Sequence, residues 1–375
     1  MTPPLVVAGG GLAGGAAACL LARAGRQVAL LEREAGPVPK ICGEFISAEA
    51  AMYLNRLGLD IAALGAAPID RLRLIRGLSV VETLLPFAGL GLSRQTLDEA
   101  LLRHAATCGA EIRRGETINR VRTINGIALD LATKEVLRPP ALFLATGKHD
   151  LRGYRRIPRQ PPEQLIGFKS HFRLSAPQQR ALQGCVEVML FPDGYAGLQL
   201  VENGIANLCL LIGAERLRRG GGGWPALLQN LRDDQPHLAT RLAGATALTD
   251  RPISISRVPY GFVHRSRAED PPGIFRLGDQ VGVIPSFTGD GMSIALHSAH
   301  LAVAAYLGGQ DAATYHRRMR RDIAGQIGRA AALSRLVRGE WGQNVAMRLA
   351  SSWPGGLALA ARMTRIPDWA LKTAK

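Results

Sequence analysis

The stretch from Leu5 to Glu34, LVVAGGGLAGGAAACLLARAGRQVALLERE, decides the first fold unit. Leu5-Val6-Val7 is a short apolar run suited to a buried strand, and Gly9, Gly11 and Gly14 follow it at G-x-G-x-x-G spacing. Ala16 to Ala24 reads as a helix rich in Ala and Leu, Gly25 suits its end, and Val28 to Leu31 form a second buried strand closed by Glu32. Gly9 lets the chain turn sharply off the strand. Gly11 lacks a Cβ, so a pyrophosphate can approach the backbone, and Gly14 lets the helix pack close to the sheet. The helix N-terminus offers unpaired N–H groups and the positive end of its dipole to phosphate. Glu32, 18 residues beyond Gly14, can accept hydrogen bonds from ribose hydroxyls. A glycine motif alone says little. Strand, helix and acid in register make this a dinucleotide-binding unit, without distinguishing NAD from FAD.

The 375 residues suffice for two domains sharing a large core, and 47% hydrophobic with 20% charged residues is an ordinary globular composition. Aromatic residues make up only 5%, against a surface built to stack bases, and no zinc-finger or RNA-binding signature occurs. Nucleic acid is therefore not an expected partner. The net charge of +16, from 46 basic and 30 acidic residues, is scattered and mostly Arg. It is either a solvated surface or the mark of an anionic partner: cofactor phosphates, an acidic carrier protein or anionic lipid. Five cysteines, an odd number with no C-x-x-C, suit a reducing cytoplasm without a disulfide framework or zinc site. Ala16-Ala17-Ala18-Cys19 imitates a lipoprotein cleavage site, but a basic leader is missing and the glycines have a better explanation.

Along the chain, a loop from Pro37 to Ser47 leads to a helix over Ala48–Leu57, and a hairpin is expected from Ile69–Ile75 and Val80–Leu85. Leu92-Ser93-Arg94 precedes a helix from about Thr96 to Ala106. Short strands follow at 110–113, 118–123 and 127–131, the last two turning at Asn125-Gly126, and another buried strand spans Ala141–Ala145. An Arg- and Pro-rich crossing, 148–162, opens a run of strands at 165–174, 185–191, 195–201 and 205–212 that reads as an antiparallel sheet. Helices are expected over 225–242. A strand at Ile274–Leu277 then leads to Gly278-Asp279, and Gly289-Asp290-Gly291 opens a helix to about Leu307. Residues 311–375 read as helical and Arg-rich.

Three separated motifs, Gly9–Glu32, LSRQTLDEALLRHAATCGA with Arg94, and LGDQVGVIPSFTGDGMSIALHSA over 277–299, together resemble the FAD-binding family that contains p-hydroxybenzoate hydroxylase and the geranylgeranyl reductases. The resemblance implies an α/β fold. A Rossmann-type FAD-binding domain, with a parallel sheet plus a three-stranded antiparallel hairpin, is interleaved with an antiparallel-sheet substrate domain and a helical C-terminus. The corresponding segments are 1–68, 90–150 and 259–330 for FAD, 69–89 and 151–258 for substrate, and 331–375 for the C-terminal helices. It further implies that Gly9, Gly11 and Gly14 hold the FAD pyrophosphate and Glu32 the adenosine ribose. Arg94 would reach the phosphates or ribityl chain, and Asp279 the ribityl hydroxyls. The Gly289–Gly291 turn would bring a helix N-terminus to the flavin N1/O2 edge, where reduced flavin carries negative charge. Leu12, Ala13, Arg33, Cys42, Gly43, Gly147, Gly278, Pro285, Asp290 and Met292 complete the expected cofactor contacts.

Lys40-Ile41-Cys42-Gly43-Glu44 resembles the reductases' Cys-Gly loop, and Gly194-Tyr195-Ala196-Gly197 their substrate-sheet segment. A Gly-Glu pair at this place also occurs in flavin halogenases, but their Trp-x-Trp-x-Ile-Pro signature is absent. Cys42 and Glu44 are the catalytic candidates: Cys42 as proton donor or flavin-facing gate, Glu44 as proton donor or acceptor. The alternatives are a small buried thiol and a cap for the helix near Ala48. Phe191, Tyr195, Tyr260 and Phe287 line a substrate cavity or belong to the core. His297 and His300 lack the companions of a metal pair, and no metal is expected. The implied activity is FAD-dependent oxidoreduction of a hydrophobic isoprenoid, lipid-like or polyketide substrate, foremost reduction of a C=C bond. The rivals are NAD(P)H-dependent hydroxylation through a flavin C4a-hydroperoxide and, on the same fold, a non-catalytic escort protein. With no second G-x-G-x-x-G, reducing equivalents come from transiently bound NAD(P)H or an electron-donor protein. The basic run Arg317-Arg318…Arg320-Arg321 suggests peripheral contact with anionic membrane.

Overall fold

The computed structural model describes residues 3–159 and 161–372. The chain ends expected in the first and last segments (1–2, 373–375) and residue 160 of the crossing lie outside them. The opening apolar run forms the strand Leu5–Ala8, buried at every residue, at the centre of a five-stranded parallel sheet. Its neighbours are Val28–Glu32, then Glu111–Arg114, on one side and Leu142–Leu144, then Ile274–Arg276, on the other. A sheet covered on both faces is written as continuous apolar runs, which is how these strands read.

The first helix, Leu12–Arg23, begins four residues before the expected Ala16, because Gly11 already serves as its N-cap. It packs on the helices Arg94–Thr107 and Gly291–Leu307. The core between them joins Ala16, Ala17, Leu21, Leu97 and Leu101 to Leu296, Ala299 and Val303. The Asn125-Gly126 turn lies in a separate three-stranded sheet of Ile118–Arg122, Ala128–Leu131 and Val136–Leu137.

The second large sheet departs from the purely antiparallel expectation. Gly184–Phe191 pairs antiparallel with Gly194–Leu200 but parallel with Ala67–Arg76, so the 69–85 hairpin is built into the same nine-stranded sheet. A helix, Ala176–Leu182, also interrupts the run read as strands, with Pro177 in its first turn where no N–H is needed. The C-terminal region folds as helices Ala312–Leu336, Glu340–Ser352, Gly355–Met363 and Asp368–Lys372. Among the described residues no helix is long and apolar enough to cross a membrane.

Candidate active site

The two glycine turns, nearly 280 residues apart in sequence, border one cavity of ≈150 Å³. Gly11, Leu12 and Ala13 form one wall of it and Gly289, Gly291 and Met292 another. The tight packing of the first turn is demanded sterically at two points. A Cβ on Gly14 would overlap the Gly9 carbonyl, so only glycine lets the helix approach the strand. Gly9 itself has φ +107°, where a side chain would strike the Ala145 carbonyl.

Both helices that point into this cavity lack a side-chain cap: Leu12–Arg23 behind Gly11, and Gly291–Leu307 behind Asp290. Their first amides thus remain available to an anionic group, and both helices, at 12 and 17 residues, are long enough to carry a full dipole. A Cβ on Gly291 or Gly147 would meet nothing within 4 Å. These uncapped amides and open glycines leave donors and room for an anionic cofactor such as FAD.

Glu32, at the end of its strand, borders a small hollow with Gly10, Lys40, Asp98 and Arg114. Its Oε2 accepts from the Gly10 amide at 2.6 Å and its Oε1 from the Glu34 amide at 3.1 Å, which fixes the carboxylate beside the first turn. Arg94 opens its helix and is held by Asp98 through two bonds of 2.8 and 2.9 Å. Its Nη2 lies 3.3 Å from where a Cβ on Gly11 would stand. Asp279 lines the main cavity with Gly278, and Lys148 Nζ lies 3.7 Å from its Oδ2. Burial pulls the Lys148 ammonium down, but Asp279, Tyr260 and Cys42 together more than offset it, so its pKa is raised. Cys42 and Gly43 also line the cavity.

Gly9 and Gly14 serve packing without bordering the cavity, and three further expected cofactor contacts lie elsewhere. Arg33 is exposed and paired with Glu34 at 2.9 Å, because the side chain after Glu32 emerges on the solvent side. Pro285 shapes the turn before Ser286–Thr288 without bordering the cavity. Asp290 is fully buried and bonded to Arg365 at 3.1 Å, so its carboxylate is committed to the C-terminal region. Burial raises its pKa to about 7 in spite of the Arg365 guanidinium.

Glu44 is fully buried at φ +60°. One carboxylate oxygen binds Lys169 and accepts from the Arg94 amide at 2.7 Å; the other meets His171 Nε2 at 2.7 Å. Its carbonyl accepts from Gln199 Nε2 at 2.9 Å. The cap of the following helix is Ser47, whose hydroxyl accepts from Ala50, not Glu44. Glu44 therefore ties the loop at Cys42 to two strands of the second sheet, a role that its sequence position does not announce.

A second cavity of ≈210 Å³ shares Gly43, Phe45, Cys209, Ser286 and Gly289 with the first. Its walls are mostly apolar: Leu72, Leu74 and Leu85 from the hairpin, Val186, Val188 and Leu190 from the next strand, and Leu357, Ala360 and Ala361 from the helix Gly355–Met363. Tyr195 and Phe287 line it, edge to face with centroids 6.0 Å apart. Tyr260 lines the first cavity instead. Phe191 lines neither, correcting its reading as a substrate contact. Side chains alternate along a strand, so Val186, Val188 and Leu190 face the cavity while Phe191 turns into the core on the other side, with the Arg216 guanidinium over its ring.

At the junction of the two cavities the Tyr195 hydroxyl meets Ser286 Oγ at 2.5 Å, and Ser286 reaches Tyr260 at 3.4 Å. Burial raises the pKa of both tyrosines, so the hydroxyls are protonated in the neutral range. Cys209 stands on the shared wall, its thiol pushed up to about 12 by burial. Sequence reading missed Lys148, Lys169, Cys209, Ser286 and Arg365. Ser286 lies inside the 277–299 motif without being singled out there; the other four lie in no motif, and only the fold gives them their partners. His297 is bonded to Tyr53 at 2.6 Å and to Asp322 at 3.2 Å inside the core.

Residues 2–126 match the protein family described as FAD binding domain. The chain is 26% identical over 312 residues to digeranylgeranylglycerophospholipid reductase 2 of Methanopyrus kandleri, covering 80% of this chain and 75% of that protein. Its fold is similar to that of the flavin-dependent brominase Bmp2, with TM-score 0.78 and 18% identity over 100% of this chain and 97% of the other. It is also similar to P. aeruginosa PqsL in complex with 2-aminobenzoylacetate, with TM-score 0.72 and 16% identity over 91% and 98%. Residues 2–126 thus carry an FAD binding domain, and the chain is an FAD-dependent oxidoreductase with FAD as its cofactor.

Proposed function

We propose that the chain reduces a carbon–carbon double bond in a hydrophobic isoprenoid, lipid-like or polyketide substrate. The observation that carries the reading is the apolar cavity sharing a wall with the flavin cavity. A substrate without charges gains free energy by leaving water for such a space, at roughly 25 cal/mol per Å² of apolar surface. The similarity to a digeranylgeranylglycerophospholipid reductase supports the same class of chemistry.

Bound FAD would supply the hydride, recharged by NAD(P)H or an electron-donor protein. The chain's own residues supply position, dryness and a proton. Gly9, Gly11, Gly14, Glu32 and Arg94 would hold the adenosine and phosphate end, and Asp279 with the Gly291 helix the ribityl and ring end. The apolar wall excludes water from the reacting face. Hydride addition to one carbon leaves the other to be protonated. The Tyr195 hydroxyl, backed by Ser286 and Tyr260, stands where the cavities join and carries a proton in the neutral range. Cys42 and Cys209 are the thiol alternatives on the same wall. Glu44 acts as a positioning residue, since its carboxylate is fully engaged by Lys169, His171 and the Arg94 amide.

Turnover without oxygen tests the proposal. Enzyme reduced under anaerobic conditions and mixed with an unsaturated isoprenoid lipid is expected to reoxidise its flavin and yield the saturated product. If flavin reoxidation and product formation require oxygen, with an oxygen atom in the product, hydroxylation replaces reduction.

A further inference from the structure

The C-terminal helices that roof the apolar cavity carry a second feature on their outer side. Fifteen large apolar side chains are exposed among the described residues, and seven of them fall between Leu336 and Trp369. They include three of the chain's four tryptophans: Trp341 at 73% exposure, Trp353 at 61% and Trp369 at 47%. The fourth, Trp224, is stacked on Phe168 in the second sheet. Single exposed apolar residues are ordinary. Seven within one stretch of the chain, from the end of the helix Ala312–Leu336 through the short helices after it, point to an interaction surface.

The helix Gly355–Met363 shows how the surface relates to the site. Leu357, Ala360 and Ala361, with Thr364 just beyond, recur at helical spacing and line the cavity. Leu359 and Met363, four residues apart, fall on the opposite side and are exposed. One layer of helix therefore separates the apolar cavity from the apolar outer surface. The charge pattern identifies what the surface meets. Arg321, Arg329, Arg335, Arg348, Arg362 and Lys372 are all exposed on these helices, against the exposed acids Glu340 and Asp368. The Arg321 guanidinium lies over the Trp369 ring, 5.2 Å from its centroid. Indole rings beside arginines suit the interface of a bilayer with negatively charged headgroups. There the apolar ring enters the acyl boundary and the cation stays at the phosphates. Tryptophan and arginine are also enriched at protein–protein interfaces, so an acidic protein is the rival occupant that the test must exclude.

We infer that the outer face of helices 340–372 docks the enzyme on an anionic lipid bilayer, inserting Trp341, Trp353 and Trp369, so that substrate enters from the membrane. The entry route rests on the proposed hydrophobic substrate; the docking does not. Full-length flavin-bound protein mixed with vesicles of phosphatidylcholine containing phosphatidylglycerol is expected to sediment with them and to shift its tryptophan emission to the blue. Vesicles of phosphatidylcholine alone, or high salt, should weaken binding several-fold. The variant Trp341→Ser/Trp353→Ser/Trp369→Ser, judged folded by its flavin spectrum, should lose about tenfold or more in partitioning. The charge variant Arg348→Glu/Arg362→Glu/Lys372→Glu tests the same helices without touching the indoles and should lose binding to the acidic vesicles. No sedimentation with acidic vesicles overturns the inference, as does equal binding by the tryptophan variant. Binding to an acidic carrier protein with none to vesicles overturns it in favour of a protein partner. Vesicle binding is read without turnover, so failure of the reductase reading leaves this result intact.

Discussion

Glu44→Gln separates positioning from proton transfer. The wild-type carboxylate sits fully buried between Lys169, itself 1% exposed, and His171. The amide keeps the volume and one acceptor but removes the charge, leaving the Lys169 ammonium buried without its counter-ion. Breaking a buried pair in this way costs about 3–5 kcal/mol. Unfolding entropy of ~2.1 cal/mol/K per residue gives ~0.8 kcal/mol/K for this chain if it melts as one unit. The Tm should therefore fall by about 4–6 °C. Lys169→Met alone should cost a similar amount. Combining the two should restore much of the loss, because neither charge then remains unpaired. Differential scanning calorimetry of the four flavin-loaded proteins reads this coupling. The reasoning fails if Glu44→Gln melts with the wild type while its turnover drops a hundredfold, for then the carboxylate acts on the reacting atoms.

Asp279→Ala should lower FAD affinity about tenfold, the size of one lost hydrogen bond, measured by flavin released on ultrafiltration; wild-type retention would remove Asp279 from the cofactor site. Gly291→Leu should abolish flavin uptake with the fold intact by circular dichroism, since its side chain enters open space in the cavity; a yellow protein would refute this. Tyr195→Phe should slow turnover roughly a hundredfold if its hydroxyl delivers the proton, with flavin content unchanged, and an unchanged rate would hand that role to a thiol. Glu187 is buried between His237 and Arg241. Burial alone would raise its pKa, but these partners hold it near about 2, below the ordinary 4.5. Its folded pKa is the lower one, so it contributes about 3 kcal/mol above pH ~4.5 that is lost as the pH falls toward ~2. Denaturant midpoints of wild type and Glu187→Gln should therefore converge on acidification, and parallel curves would contradict the assignment.

The parallel sheet and its cofactor end were legible because local chemistry enforces them. Gly14 is required by a backbone contact, and Glu32 stands one strand away from the turn that it serves. The helix opened by Gly291 was legible for the same reason. The substrate side was less so. The pairing of Gly184–Phe191 with Ala67–Arg76 spans more than a hundred residues and leaves no periodic signal. Whether Phe191 or Leu190 faces the cavity depends on a one-residue register that only the assembled sheet fixes. Glu44 was read as a proton carrier or a helix cap, whereas its partners come from strands whose Lys169 and His171 look like surface residues in sequence.

The clasp between Arg365 and Asp290 has a mechanical consequence. Arg365 Nη1 holds Asp290 Oδ1 at 3.1 Å and its Nη2 donates to the Thr288 carbonyl at 3.0 Å, so the segment just after the helix Gly355–Met363 is pinned to the turn that opens the helix Gly291–Leu307. The helix Gly355–Met363 also walls the apolar cavity. Any displacement of that wall is therefore transmitted, through one guanidinium, to the glycine turn bordering the neighbouring cavity.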